Sequence, residues 1–202
     1  MFNFFLKGGP LMWPILLASI TALTVVVERL LFIVKEQRLR RPDIVEKILD
    51  AMEKGDVKTA IHLGQDTQDF VAKTLVYGLE HRQHSFSNAL LLAANQELKR
   101  FSRGLSILDT IITLAPLLGL LGTVTGMIHA FGLLGNAGLE TPTVITGGIS
   151  EALIATAFGL FVAIVALIPF NYLSSRLEGA RHEIETAASY LEILVVKASD
   201  KA

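Results

Sequence analysis

The sequence contains no cysteine. Disulfides, thiolate nucleophiles and cysteine-ligated metals are therefore excluded. Nor is there an excess of either charge: 18 Lys and Arg stand against 19 Asp and Glu, a formal net charge of −1. Without a basic patch to match a phosphate backbone, a nucleic-acid partner is not expected. The chain also lacks a GxSxG elbow, a phosphate-binding glycine loop and an HExxH pair. His62, His81 and His84 are not grouped with carboxylates in any metal-site spacing. No enzymatic activity, cofactor or metal is expected. Charge of any kind is scarce, at 18% of residues against about 25% in soluble domains.

In place of charge there are long apolar runs. Residues 8–27, 110–128 and 152–170 have no Asp, Glu, Lys or Arg, while residues 28–109 hold most of the charges. Twenty residues rising 1.5 Å each match a hydrocarbon layer of about 30 Å. The first run, GGPLMWPILLASITALTVVV, competes with a signal peptide, whose apolar core is only about 7–15 residues. Its greater length, and the ERLLFIVKEQRLRR that follows, favour a retained anchor with Trp13 near one interface.

Lysine and arginine set the orientation. Arg29, Lys35, Arg38, Arg40 and Arg41 follow the first run, Lys99, Arg100 and Arg103 precede the second, and Arg176 and Arg181 follow the third. The link from 133 to 147 has neither residue. The positive-inside rule then places the N-terminus and this link outside, with the central segment and C-terminus in the cytoplasm. The expected organisation is a short periplasmic N-terminus (1–7), span one (8–29), a cytoplasmic helical domain (30–106), span two (107–131), a periplasmic link (132–148), span three (149–171) and a cytoplasmic C-terminal helix (172–202). The fold class is an all-α membrane protein whose three spans extend into a helical cytoplasmic domain.

Within the cytoplasmic part, Ile44, Ile48, Leu49 and Met52 share a helical face, broken at Gly55 and Asp56. Val71, Leu75 and Leu79 share another. A third helix starts near Ser85 or Ser87 and runs towards span two, with Gly104 able to bend it. After span three, Leu173, Leu177, Ala180, Ile184, Ala187 and Leu191 step by three and four, a heptad-like seam for packing on a neighbour.

The spans carry more glycine and hydroxyl than burial requires. In LLGLLGTVTGMIHAF (117–131), Gly119, Gly122 and Gly126 form a small-residue strip; Ala155, Gly159 and Ala163 form another on span three. Lipid supplies little hydrophobic drive between helices, so close approach through small residues takes its place. Asp109, Thr113, Pro116, Leu120, Thr123 and Met127 fall at spacings of four and three, placing a carboxylate and hydroxyls along one helix face. Asp109 and Thr113 are candidates for a pore entrance. A membrane threonine can equally bond a carbonyl of its own helix. Glu151 is the only charged residue between Glu140 and Arg176, with Thr156 further in, about 140° around the helix from it. Ionisable groups in spans tend to face protein or water and to mark ion paths; an interfacial, hydrated Glu151 is the alternative. His129 reads as an interfacial anchor.

LAPLLGLLGTVTGMIHAF (114–131) and GGISEALIATAFGLFVAIVALIPFNYLSSRLE (147–178) closely resemble the MotA/TolQ/ExbB proton-channel family, most of all its ExbB-like branch. A Gly-Thr-Val on span two, then a Glu-Ala-Leu and an Ala-Thr-Ala on span three, carry the resemblance. It implies that Thr123, Thr156 and Glu151 line a proton pathway. It further implies a homopentamer, lipid-embedded in the bacterial inner membrane, around a dimer of an ExbD-like single-span protein bearing an essential aspartate. With a TonB-like protein, such a motor uses the proton motive force to energise outer-membrane transport. A TolQ-like role in envelope maintenance and division is the alternative within the family, and a nonconducting scaffold the alternative outside it. A MotA-type stator fits less well, because those proteins have four spans.

Overall fold

The computed structural model describes residues 8–137 and 142–199, and every regular element among them is helical. In chain order these are α1 (Met12–Leu39), α2 (Pro42–Glu53), α3 (Val57–Gln65), α4 (Phe70–Glu80), α5 (Arg82–Ser102), α6 (Leu105–Ala137) and α7 (Pro142–Ser199). Three stretches are long and apolar enough to cross a membrane: Met12–Leu39, Leu105–Gly132 and Thr146–Lys197. The chain is thus an all-α protein with three candidate spans and a further helical part. Residues 1–7, the expected N-terminal segment, 138–141, part of the link between the second and third spans, and 200–202 lie outside the described residues.

The residues group into two compact units, one drawn from residues 1–29 and 104–172, the other from 30–103 and 173–202. In the first, outward-facing residues of the spans are large and apolar, as lipid requires. Leu17, Leu23, Leu117, Ile128, Phe161 and Ile168 are all exposed. Its interior is rich in small residues, Ala22, Ala115, Ala130, Ala152, Ala155, Ala163 and Ala166 among them, beside a few large ones such as Met12, Ile15 and Leu108. Pro116 and Pro169 sit inside α6 and α7 without ending them, as spans tolerate when neighbouring groups compensate.

The helix approaching span two stops short of it. Gly104 has φ +80°, so α5 ends at Ser102 and α6 begins anew at Leu105. A Cβ on Gly104 would stand 2.9 Å from Val25 Cγ1 and 3.6 Å from Arg29 Cδ. Only glycine combines that left-handed backbone with so close a neighbour. The bend foreseen at Gly104 is in fact a complete break.

The second unit is an ordinary water-soluble helical core. Ile48, Met52, Val71, Leu75 and Leu79 are buried in it. From α7 it takes Leu173, Ala180, Ile184, Ala187 and Leu191, all buried, with Leu177 half-buried. Asp56 caps α3 by accepting from Thr59 N at 3.1 Å, and Asp69 caps α4 by accepting from Val71 N at 2.9 Å and Ala72 N at 3.1 Å. Each cap satisfies backbone donors that a helix start leaves open. Asp69, only 1% exposed, also accepts from Arg40 Nη1 and from Arg41 N at 2.6 Å. Arg40 in turn donates to Glu183 on α7 and lies over the Phe70 ring, 4.7 Å from its centroid. One buried carboxylate therefore ties the end of α1, the start of α4 and, through Arg40, the long C-terminal helix.

Candidate functional site

The second and third spans meet through backbone. A Cβ on Gly119 would lie 2.9 Å from Thr156 Cα and 3.1 Å from Ala155 O. On the other side, a Cβ on Gly159 would overlap Ala115 O and stand 3.1 Å from Gly119 Cα. Gly122 faces Ala155 Cβ, where a side chain would come within 2.6 Å, and Gly126 faces Ala152 Cβ at 3.0 Å. The contact row continues outward to Gly148, opposite Ala130. Ala163, further along α7, is buried as well. Helix axes can approach this closely only where both sides lack bulk. Ala152, Gly148 and Ala130 were not singled out from sequence; the signal for them was the three- and four-residue spacing continued beyond Ala155 and Gly126.

Across this seam runs an interhelical side-chain bond. Thr156 Oγ1 donates to Gly119 O at 2.8 Å. Gly119 therefore does two things: its missing side chain admits α7, and its carbonyl receives the Thr156 hydroxyl. Thr156 remains half-buried.

Thr123 lies elsewhere on α6. Its Oγ1 donates to Leu120 O at 2.7 Å, three residues back on its own helix. Thr125 does likewise to Leu121 O at 2.9 Å. Thr123 also borders a shallow depression with Val124, Met127, Ile128, Phe131 and Gly132. The packed row of α6 is Leu108, Ile111, Ala115, Gly119, Gly122, Gly126 and Ala130, all buried. The row Asp109, Thr113, Pro116, Leu120, Thr123, Met127 is displaced from it by one residue, about 100° around the helix. Asp109, Thr113 and Leu120 are exposed; Pro116, Thr123 and Met127 are half-buried. Thr113 Oγ1 donates to Thr110 O at 2.9 Å and Asp109 O at 3.1 Å. The polar row thus flanks the seam and opens away from it.

Glu151 is half-buried on α7, five residues before Thr156, and its carboxylate rests on Gly9 at the entry to α1. Thr123, Thr156 and Glu151 are not joined by hydrogen bonds to one another. Thr156 belongs to the seam, Thr123 to the open flank beside it, and Glu151 to a contact with the first span. Among the described residues no group of three or more His, Asp or Glu could hold a metal ion.

Three apolar helices long enough to cross a membrane, two of them meeting backbone to backbone through glycine, mark a multi-pass α-helical membrane protein. Residues 64–186 match the profile of the MotA/TolQ/ExbB proton channel family, and the chain belongs to that family. Its members are channel proteins, not enzymes. An ExbB-like protein of Synechocystis sp. (ExbB-like 1) is 39% identical over 196 residues, covering 94% of this chain and 77% of that protein. An ExbB homolog of Methanothermobacter thermautotrophicus is 32% identical over 186 residues, 90% of this chain and 65% of that protein. The Tol-Pal system protein TolQ of Haemophilus influenzae is 41% identical over a shorter 95 residues, 47% of this chain and 42% of that protein.

Proposed function

We propose that this chain is the ring-forming subunit of an inner-membrane proton channel. In this reading a pentamer encloses an ExbD-like partner and uses the proton motive force to drive TonB-dependent transport across the outer membrane. The N-terminus is periplasmic and the C-terminus cytoplasmic. The observation that carries the reading is the row from Asp109 to Met127 on α6. It sets Asp109, Thr113 and Thr123 among apolar residues, lies beside the packed seam, and opens away from it. A polar row on a span needs protein or water against it rather than lipid. A ring of copies provides such a space, since cyclic closure reuses one interface and leaves no exposed ends.

In that lumen, Asp109 and Thr113 stand towards the cytoplasmic entrance, Thr123 borders the path, and Thr156 braces its wall through Gly119. Glu151 hydrates the outer end. Beyond Glu28 at the very end of span one, the chain supplies no further carboxylate within the spans, so the proton-carrying acid comes from the partner's span. Simultaneous Thr123→Ala and Thr156→Ala changes should abolish proton flux and uptake of a TonB-dependent substrate when the chain is co-expressed with the ExbD-like partner. Normal flux and uptake would remove both residues from the path. Pentamers by native mass spectrometry without any proton movement would instead support a scaffold.

The match to TolQ supports a second reading, a role in the Tol-Pal system of envelope maintenance. The genes adjoining this one separate the two: a TonB-like neighbour favours nutrient uptake, and TolR-, TolA- and TolB-like neighbours favour the envelope.

A further inference from the structure

The entry to the first span combines a left-handed backbone with an ionisable side chain from another helix. Gly9 has φ +75°, a conformation that side-chain-bearing residues avoid. A Cβ at Gly9 would overlap Glu151 Oε1 and stand 2.8 Å from Cδ and 3.1 Å from Cγ. Both faults would strike the same substitution. Glycine is the residue that permits the turn and also leaves room for the carboxylate.

The turn is anchored on both sides of this contact. Gly9 O accepts from Met12 N at 3.2 Å and Pro10 O from Trp13 N at 3.3 Å, which starts α1. Gly8 is buried, and a Cβ there would meet Met12 Sδ at 2.7 Å and Ile154 Cγ2 at 3.1 Å. Ile154 is one turn along α7 from Glu151, so the two glycines lie against one face of that helix. Leu11 Cδ1 lies 3.9 Å from the Cβ position of Gly122 on α6. The segment touches both neighbouring spans and has little freedom to shift.

Among the described residues no ion pair explains where the carboxylate sits. Residues 8–27, 105–137 and 142–175 contain no lysine or arginine. The other titratable groups in these stretches are Asp109, towards the opposite end of α6, His129, which is exposed, and Tyr172, 21 residues further along α7. We propose that Gly9 is a positioning residue for Glu151: its bare Cα and left-handed turn form the seat that fixes the carboxylate at the outer end of the spans. This deepens the proposed function and rests on Glu151 belonging to the conduction path.

The test uses the full chain co-expressed with its single-span partner, with proton flux into vesicles followed across pH 5–8. Glu151→Gln and Glu151→Ala come first; if both behave like the parent, Glu151 lies outside the path and the Gly9 proposal falls with it. If they alter the pH profile, Gly9→Ala should lower flux about tenfold or more, because small displacements of a reacting group are costly. It should also shift the pH midpoint. Glu151→Asp withdraws the carboxylate by one methylene, so Gly9→Ala with Glu151→Asp should conduct better than Gly9→Ala alone. A parental profile for Gly9→Ala, or no recovery in the pair, overturns the proposal while leaving the role of Glu151 standing. Should Gly9→Ala alone fail to accumulate, accumulation and flux in the pair uphold the seat, and failure of the pair overturns it.

Discussion

The two units of this molecule solve the same packing problem with opposite materials. In the aqueous unit, large side chains such as Ile48, Met52, Leu75 and Leu79 are withdrawn from water, and buried polar groups are met by caps and ion pairs. In the membrane unit most large side chains point outward, and the second and third spans meet through glycine, alanine and backbone, although Met12, Ile15 and Leu108 are also buried. Where water is the solvent, burial of bulk stabilises; where lipid is the solvent, bulk gains nothing by turning inward and closeness of approach takes over. The difference teaches that sensitivity to substitution should be inverted between the units: loss of size harms one, gain of size the other.

The largest effect is expected at Asp69. Its removal leaves the Arg40 guanidinium without its buried carboxylate and uncaps two N–H groups of α4. Asp69→Ala should destabilise the aqueous unit by about 3–5 kcal/mol, read as loss of protease resistance in residues 30–103. An effect below about 1 kcal/mol would break the view that this carboxylate organises the unit.

Next comes the gain of bulk in the seam. Gly159→Val places methyl groups against Ala115 O and Gly119 Cα, and should cost roughly 1–3 kcal/mol, seen as a lower melting temperature of the complex in mild detergent. Leu117→Ala, on the exposed face of the same unit, should change that temperature little. Equal effects would contradict the inversion.

A smaller loss is expected for Thr156→Val, which keeps shape and removes the bond to Gly119 O. About 0.5–1.5 kcal/mol is the usual worth of such a bond, and thermal unfolding in the same detergent would measure it.

The smallest effect is one of pH, confined to the aqueous unit. The bonds from the Thr59 hydroxyl and backbone hold the Asp56 carboxyl below its ordinary value. A carboxylate with a lowered folded-state pKa contributes its stability above the unfolded value, about 3.9, and loses it as pH falls through the folded one. Asp56→Asn, which can still cap but cannot titrate, should therefore flatten the acid limb of stability below about pH 4. Melting curves between pH 3 and 6 would detect the change, and an unchanged limb would show that the cap is not linked to acid stability.

Much of this architecture was legible in the sequence because it is written locally. Charge-free runs mark the apolar helices, and the spacing of Val71, Leu75 and Leu79 marks one buried face. Contacts between distant segments leave no such trace. Arg40 is 29 residues from Asp69 and 143 from Glu183, and each looks like an ordinary surface charge when read alone. Thr156 carried a hydroxyl to be accounted for, but its acceptor, Gly119 O, is 37 residues away. The break at Gly104 was underestimated because a glycine in a helical pattern signals a bend or a stop equally well until its neighbours, Val25 and Arg29, are in place. Gly8 and Gly9 before Pro10 were read only as the edge of an apolar run; their contact with Ile154 and Glu151 is what gives the pair meaning.

Gly159 against the carbonyl of Ala115, and Gly119 against Thr156, also have a mechanical consequence. Side-chain layers act as springs, because rotamers can shift to absorb a displacement. Here the two spans meet with almost no such layer between them, and closely packed protein matter has low compressibility and passes strain on. A push on α6 is therefore delivered to α7 nearly undiminished along this seam, so the pair behaves as one stiff stave, leaving any compliance to its other faces.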